Sequence, residues 1–348
     1  MISAGLTRRH LLLGGAGLTV AVFGKANPAF CAQVSDSDDL DGLVRAAKTE
    51  GGVLTFYTSL PENIAKRVGA EFKRRYGIAT SYIRLSGPGI QQRFLSEAAA
   101  GTFAADLLVS AGNNASFAGD AFKKGWVYPL DKADLPILKS GQFPAKYFKV
   151  NYATIQISPW AIGYRTDAVQ GPDIPKDWSD LLNPKWKGEI LLADPAASTS
   201  YLDTWAAVQA KYGNEFFEKF RAQQPRVFAS GVPMTQALAA GEGKLGVVTA
   251  IAVAADLIAK GAPLGTVILD PTAGIEQAVI LVAPTKVKHP NTARLFANFV
   301  MSPDGNALVN ADAGNVSVYA AAATSTGYTE PDPAIGSRME EFRKLLGL

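Results

Sequence analysis

Three hydroxyls in a row, Ser198-Thr199-Ser200, stand between an apolar strand pattern and a helical one, and that placement is the clearest chemistry in the chain. Upstream, Asn183-Pro184 marks a turn and Lys187-Gly188 releases the backbone; Glu189 to Ala193 is then a short apolar run that Asp194-Pro195 ends. Downstream, Tyr201, Leu202, Trp205 and Val208 recur at the spacing of one helix face. The first turn of such a helix has N–H groups without intrahelical partners and a partial positive charge, and neighbouring hydroxyls add donors. Residues of these types in this order make a seat for an anion. From the stretch alone, capping of the helix by the same hydroxyls is the simpler reading.

The elements that must position this seat alternate. Leu40, Leu43, Val44 and Ala47 predict a helix stopped by Gly51-Gly52, and 53–57 is a strand whose end, Thr58-Ser59-Leu60-Pro61, turns into a helix running to Tyr76-Gly77. Residues 78–85 form the next strand, ending in Ser86-Gly87-Pro88-Gly89 before a helix over 90–100. A third strand, 105–109, ends in Ser110-Ala111-Gly112-Asn113. Strands alternating with helices predict a parallel sheet with right-handed crossovers, in which ligands sit beyond the carboxyl ends of the strands. All three of those ends carry hydroxyl, amide or glycine residues: Thr58 and Ser59, Ser86 and Gly87, Ser110, Gly112 and Asn113. Small side chains admit a ligand to the backbone, and hydroxyls donate without carrying charge. Three such loops at equivalent positions predict a binding cleft, although each singly is also ordinary turn chemistry.

Residues 1–32 read as an export signal. Thr7-Arg8-Arg9-His10-Leu11-Leu12 fits the twin-arginine pattern, and Leu11 to Phe23 is apolar but short for a bilayer. Cleavage is expected after Cys31 or after Ala32; Phe30 is too large for Cys31 to be a lipid-bearing cysteine. Removing the segment takes away Arg8, Arg9 and Lys25 and no acid, which leaves basic and acidic groups equal at 31 each. A neutral chain without a basic run excludes a nucleic-acid partner. Cys31 is the only cysteine, so disulfides, zinc–thiolate sites and cysteine nucleophiles are excluded from the mature chain. About 315 residues exceed what a single core usually organises, which predicts two lobes.

The run PKWKGEILLADPAAS, 184–198, resembles a segment of the periplasmic substrate-binding proteins of ABC importers, in the group that includes ferric-iron binders. There a P-x-W-K-G-x-[IL] turn and strand leads to a small, serine-bearing loop facing the ligand. The resemblance extends over nearly the whole mature chain. Residues 155–167 are similar to the family's strand crossing between lobes, with Arg165 in place of the usual asparagine. Gly241 to Thr249 is similar to the entry to a central strand, Asp270 to Gly274 to a hinge passage, and 289–309 to a pair of packing helices that Asn315 to Tyr319 continues. The resemblance implies an α/β, two-lobed periplasmic-binding-protein fold (type II), each lobe a mostly parallel sheet flanked by helices, with a hinge of crossing strands. The expected lobes are 33–110 plus 270–315, and 111–269 plus 316–348.

The resemblance also implies that the three loops of the first lobe touch ligand, opposite Ser198, Thr199, Ser200 and Tyr201, with Thr249 and Tyr319 added by position. Trp160 either walls the cleft or is core. In the iron-binding members adjacent tyrosines hold the metal, whereas Thr249-Ala250-Ile251-Ala252-Val253 stands there in this chain. Tyr201 and Tyr319 are separated, and His289 reads as a solvent-facing residue before a helix. No metal and no cofactor are expected.

The function implied is the periplasmic capture of a small organic anion, a carboxylate, phosphonate or phosphate ester, by a monomer that hands it to an ABC permease in the inner membrane. Arg84 and Arg93 stand near the Ser86 loop as candidate counter-charges, and Arg165 reads as solvated. Two rivals remain open: a ferric-iron binder of the same fold, and an exported hydrolase. The second lacks a cysteine, a well-placed histidine and a G-x-S-x-G elbow, though a carboxylate pair is not excluded by spacing, so the chain is read as a non-enzyme.

Overall fold

Phe56, Phe72, Phe296 and Phe299 meet ring to ring at the centre of one hydrophobic core, and Trp178, Trp205, Phe216, Phe217 and Phe220 do so in another. In the computed structural model, which describes residues 39–323 and 327–348, a single branched sheet runs through both. The export signal expected over 1–32 lies outside the described residues.

The chain begins with α1 (Leu40–Glu50), capped by the Asp39 carboxylate, then β1 (Val53–Thr58), α2 (Glu62–Tyr76), β2 (Ala79–Arg84), α3 (Gly87–Ala99) and β3 (Leu107–Ala111). β2, β1 and β3 pair in parallel, as the βα alternation requires. α4 (Asn114–Lys123), β4 (Val127–Tyr128), α5 (Pro136–Lys139) and β5 (Phe148–Lys149) follow. β6 (Tyr152–Arg165) is the long strand that joins the halves. Its first part pairs antiparallel with β11 (Gly274–Val282), and its second with β9 (Leu245–Ala250) and β10 (Leu264–Val267). β7 (Ile190–Ala193) lies parallel between β9 and β8 (Arg226–Phe228). α6 (Thr199–Ala222), α7 (Gly231–Ala239), α8 (Ile251–Ala259), α9 (Pro290–Met301), α10 (Pro303–Val309) and α11 (Met339–Leu346) complete the chain. The architecture is the mixed α/β arrangement of type II binding proteins, with a central sheet flanked by helices.

The first sheet is covered on both faces. Leu54 and Phe56 pack beneath α1, α2 and α9, while Tyr57 packs with Ile90, Phe94 and Phe117 on the other side. The second core gathers β7, β9 and α6, with Trp186 of the Pro184-Lys185-Trp186 turn buried in it and its indole N–H donating to Asp180 O at 3.0 Å. α6 breaks at Gly213, where φ is 69°, so two helical pieces can present Trp205 and Phe216 to the same core.

The cores divide the chain differently from the expected boundaries. Phe117, Ala118 and Ala121 of α4, and Leu130 to Tyr147 after it, pack in the first half. β3 enters α4 through only Gly112 and Asn113, which leaves that helix no reach toward the second core. The segment after 316 is shared: Val318 and Tyr328 join the first core, and Ile335, Phe342 and Leu346 the second.

Candidate functional site

The hydroxyls that open α6 do not cap it. Ser198 is extended, no side chain accepts from the first turn, and the Ser198 and Ser200 hydroxyls pair with each other at 2.8 Å. The N–H groups of that turn therefore lack a side-chain acceptor. The corner before it is held from outside: Asp194 Oδ1 accepts the Ala196 N–H at 2.8 Å, and Arg343 of α11 grips both Asp194 oxygens at 2.7 and 2.6 Å.

Ala196 to Ser200 form one wall of a cavity of about 460 Å³. The opposite wall is Ala111, Gly112 and Asn113, where β3 ends, with Pro88 beside them. Gly112 turns the chain at φ 105°, a left-handed conformation that few other residues adopt. Gly274, Ile275 and Glu276, at the start of β11, form the floor. Pro331, Asp332 and Pro333 form a strap across it, tied to both walls: Asn113 Nδ2 donates to Pro333 O at 3.0 Å, and Asp332 N–H donates to Asp203 Oδ1 at 3.0 Å.

The cavity thus brings together Gly112, Asn113, Ser198, Thr199 and Ser200 among the residues singled out by sequence. The other first-lobe residues lie beneath the wall. Thr58 and Ser110 are fully buried; the Thr58 hydroxyl accepts from Leu60 N–H at 3.1 Å, and that of Ser110 donates to Ala111 O at 3.2 Å. Ser59 donates to Gln277 Oε1 at 2.7 Å and accepts from Ala111 N–H at 2.8 Å, which pins the loop. Ser86 caps α3 through Gly89 N–H at 3.2 Å. Gly87 lies so close to the neighbouring chain that a Cβ there would stand 2.1 Å from Ala111 O.

Trp160, Tyr201 and Thr249 are buried in the second half and do not line the cavity. Trp160 meets Tyr201 edge to face at 4.7 Å, its indole N–H unpartnered; the Tyr201 hydroxyl accepts from Gly231 N–H at 3.3 Å, and that of Thr249 donates to Gly246 O at 3.0 Å. Tyr319 belongs to the first core, edge-on to Phe143, its hydroxyl donating to Met301 O. The two tyrosines considered for iron are therefore in different cores. Among the described residues no group of three or more His, Cys, Asp or Glu converges for a metal ion.

The arginines expected near an anion are committed elsewhere. Arg84 donates to Leu60 O at 3.0 Å, and Arg93 pairs with Glu97 at 2.8 Å above the Tyr57 ring. Arg165 is not solvated: it holds Asp167 and donates to the Leu238 and Ala239 carbonyls that end α7, a placement set by the strand register. His289 is likewise not free in solvent. Its Nδ1 lies 3.2 Å from Asp106 Oδ2, and its ring packs on Gly52.

The sequence reading missed the carboxyls. Asp203, Glu276 and Asp332 line the cavity, and among the described residues no lysine, arginine or histidine does. Asp203 is only 3 % exposed, and burial, reinforced by the Asp332 and Glu276 charges, pushes its carboxyl up to about 6. Burial also raises Glu276, against hydrogen bonds from Thr154 at 2.8 Å and Tyr328 at 3.0 Å. The available signal was an acid between Leu202 and Trp205 on the apolar face of a helix, and another opening the buried strand 277–282.

The arrangement is a largely apolar cavity with donors on one wall and carboxyls on another, suited to holding a small solute. Residues 54–313 match the family model of the bacterial extracellular solute-binding proteins. The fold is shared with the substrate-binding protein of an ABC transporter from Agrobacterium tumefaciens, at 18 % identity over 86 % of this chain and 95 % of that one, TM-score 0.65. It is shared with iron-bound HitA of Pseudomonas aeruginosa, at 16 % identity, 86 % and 100 % coverage, TM-score 0.62. AfuA of Actinobacillus pleuropneumoniae, solved with fructose-6-phosphate, is similar at 20 % identity, 85 % and 97 % coverage, TM-score 0.55. Among the described residues no helix is long and apolar enough to cross a membrane. With a family match over most of its length, the chain belongs to the bacterial extracellular solute-binding proteins, the substrate-binding proteins of ABC transporters.

Proposed function

We propose that the chain captures a small organic solute in the periplasm, as a monomer and without catalysis, seats its anionic group at the start of α6, and delivers it to a permease in the inner membrane. The observation that carries the seat is the uncapped first turn of α6 opening on the cavity with the Ser198 and Ser200 hydroxyls beside it. A carboxylate, phosphonate or phosphate ester would accept from those N–H and O–H groups without a metal. The sugar phosphate held by AfuA supports an anionic head in this fold. The twin-arginine segment supports export.

The test is a thermal-shift screen of the chain from residue 33 onward against carboxylates, phosphonates, phosphate esters and ferric salts. A ligand at a hundredfold its dissociation constant adds about 2.7 kcal/mol, which moves the melting temperature by several degrees. An organic anion should give that shift, and Ser198→Ala/Ser200→Ala should abolish it. Because neither hydroxyl caps the helix and the two bond only each other, the double variant leaves no partner unpaired and should keep the melting temperature of the unliganded protein within a few degrees. A response to ferric ion alone would overturn the proposal.

A further inference from the structure

Three carboxyls line the cavity, and its lining offers them no counter-charge. The cations nearby are engaged: Lys149 with Glu330 at 3.2 Å, Arg338 with Glu341 at 2.8 Å, and Lys211 with the Asp270 carbonyl at 2.9 Å. Asp203 is the most enclosed of the three; its Oδ1 takes the Asp332 N–H, and its Oδ2 meets no hydrogen-bond donor among the described residues. Buried carboxylates are ordinarily paired, and one left open to a cavity marks a place for an opposite charge.

A second observation on a different element points the same way. A small recess adjoins the cavity and shares Gly112, Asn113, Glu276 and Pro331 with it. Asn114, only 4 % exposed, lines that recess; its amide nitrogen donates to Ser110 O at 2.9 Å, while its Oδ1 has no partner. The Asp203 oxygen on α6 is thus an acceptor open to the cavity, and the enclosed Asn114 oxygen on α4 adds negative potential behind the adjoining recess. The chemical group that supplies donors and positive charge and accepts nothing is a protonated amine. A plain dianion, by contrast, would lie against three carboxyls, with Lys149 beside Glu276 already paired to Glu330.

We propose that the solute is dipolar, its anionic head at the start of α6 and a protonated amine against Asp203, Glu276 and Asp332. This inference rests on the anion seat proposed above and names the rest of the ligand. The cavity thus selects by charge at both ends, rejecting anions that lack nitrogen through the carboxyls and simple amines through the unfilled donors of α6.

The experiment is calorimetric titration of the mature chain with matched pairs: amino acids of increasing chain length beside the carboxylates lacking nitrogen, and aminoalkylphosphonates beside alkylphosphonates. At least one zwitterion should bind tenfold or more tightly than its amine-free partner. Asp203→Asn, which keeps an acceptor for the Asp332 N–H, should remove that preference and leave the amine-free partner unchanged or improved; Glu276→Gln is the second variant should the first fail to fold. Equal or tighter binding of amine-free anions, equal loss of both ligands in Asp203→Asn, or silence toward every zwitterion would overturn the proposal. Amine-free binding that depends on Ser198 and Ser200 would leave the anion seat standing alone. Zwitterion binding lost in Asp203→Asn but indifferent to the serine variants would remove the anion seat instead.

Discussion

The Asp332 backbone donates to the Asp203 carboxylate at 3.0 Å, and the strap on either side of it is held by the Pro333 carbonyl on Asn113 and by Tyr328 on Glu276. A segment far along the chain thus ties the two walls of the cavity through groups that also face its interior.

Burial of Asp203, only partly offset by that contact, makes stability depend on pH in a particular direction. Asp203 has a folded value of about 6 against an ordinary 3.8, so between those values the folded protein binds more protons than the unfolded one. Its contribution is fully present below pH 3.8 and is lost as pH rises toward 6 and beyond. Among the described residues no lysine or arginine lines the cavity; the Asp332 N–H favours the charged form, and burial together with the Asp332 and Glu276 charges outweighs it. Asp203→Asn should therefore stabilise the unliganded protein at pH 7 by about 2 kcal/mol and flatten its melting temperature between pH 4 and 6. Melting curves of both proteins across that range check it; a parallel pair of curves would contradict it.

Ligand binding should move a proton in the same window. An ammonium against Asp203 favours its charged form, so at pH 6 complex formation should release a fraction of a proton per site. Titrations in buffers of different ionisation enthalpy read that number directly, and proton uptake would argue against an amine at this carboxyl.

Ser59 does not reach the cavity, yet its hydroxyl both donates to Gln277 and receives the Ala111 N–H. Ser59→Ala leaves that N–H without a partner at the root of the Gly112–Asn113 wall. Urea unfolding should show a loss of about 1–3 kcal/mol, the cost of an unpaired group in a partly buried site.

Gly87 is required by contact. A methyl 2.1 Å from Ala111 O cannot be absorbed without shifting β3 or α3, so Gly87→Ala should cost about 1–3 kcal/mol as overpacking does. Binding of any solute should weaken with it, because Pro88 and Ala111 are both cavity wall.

Arg343 grips Asp194 from α11 and sets the corner that leads into α6. Arg343→Ala should lower the melting temperature by a few degrees at low salt and less at high salt, since the pair is only partly shielded. It should also weaken solute binding with no change in which solutes are chosen.

How much of this was legible follows from how local each feature is. The strand 190–193 and the helix start at Thr199 show in the sequence because turn residues and apolar spacing act within a few residues. The loop after β3 was legible for the same reason, and two of its residues reach the cavity. The hydroxyls of the loops after β1 and β2 do not, because Ser59 turns toward Gln277, 218 residues away, and Ser86 toward its own helix. Asp203, Glu276 and Asp332 were overlooked because nothing within a few residues of any of them reveals a shared cavity.

By itself the sequence determined the alternation of elements, the family resemblance and the uncharged hydroxyl wall at Ser198 to Ser200, all of which rest on local hydrogen bonding and periodic burial. The tertiary structure alone decided which hydroxyls face the cavity, which arginines are already engaged and that three distant carboxyls meet there. The meeting of the carboxyls depends on pairings across the chain, such as Asp203 with Asp332, 129 positions apart, and chain closure over such distances leaves no local trace.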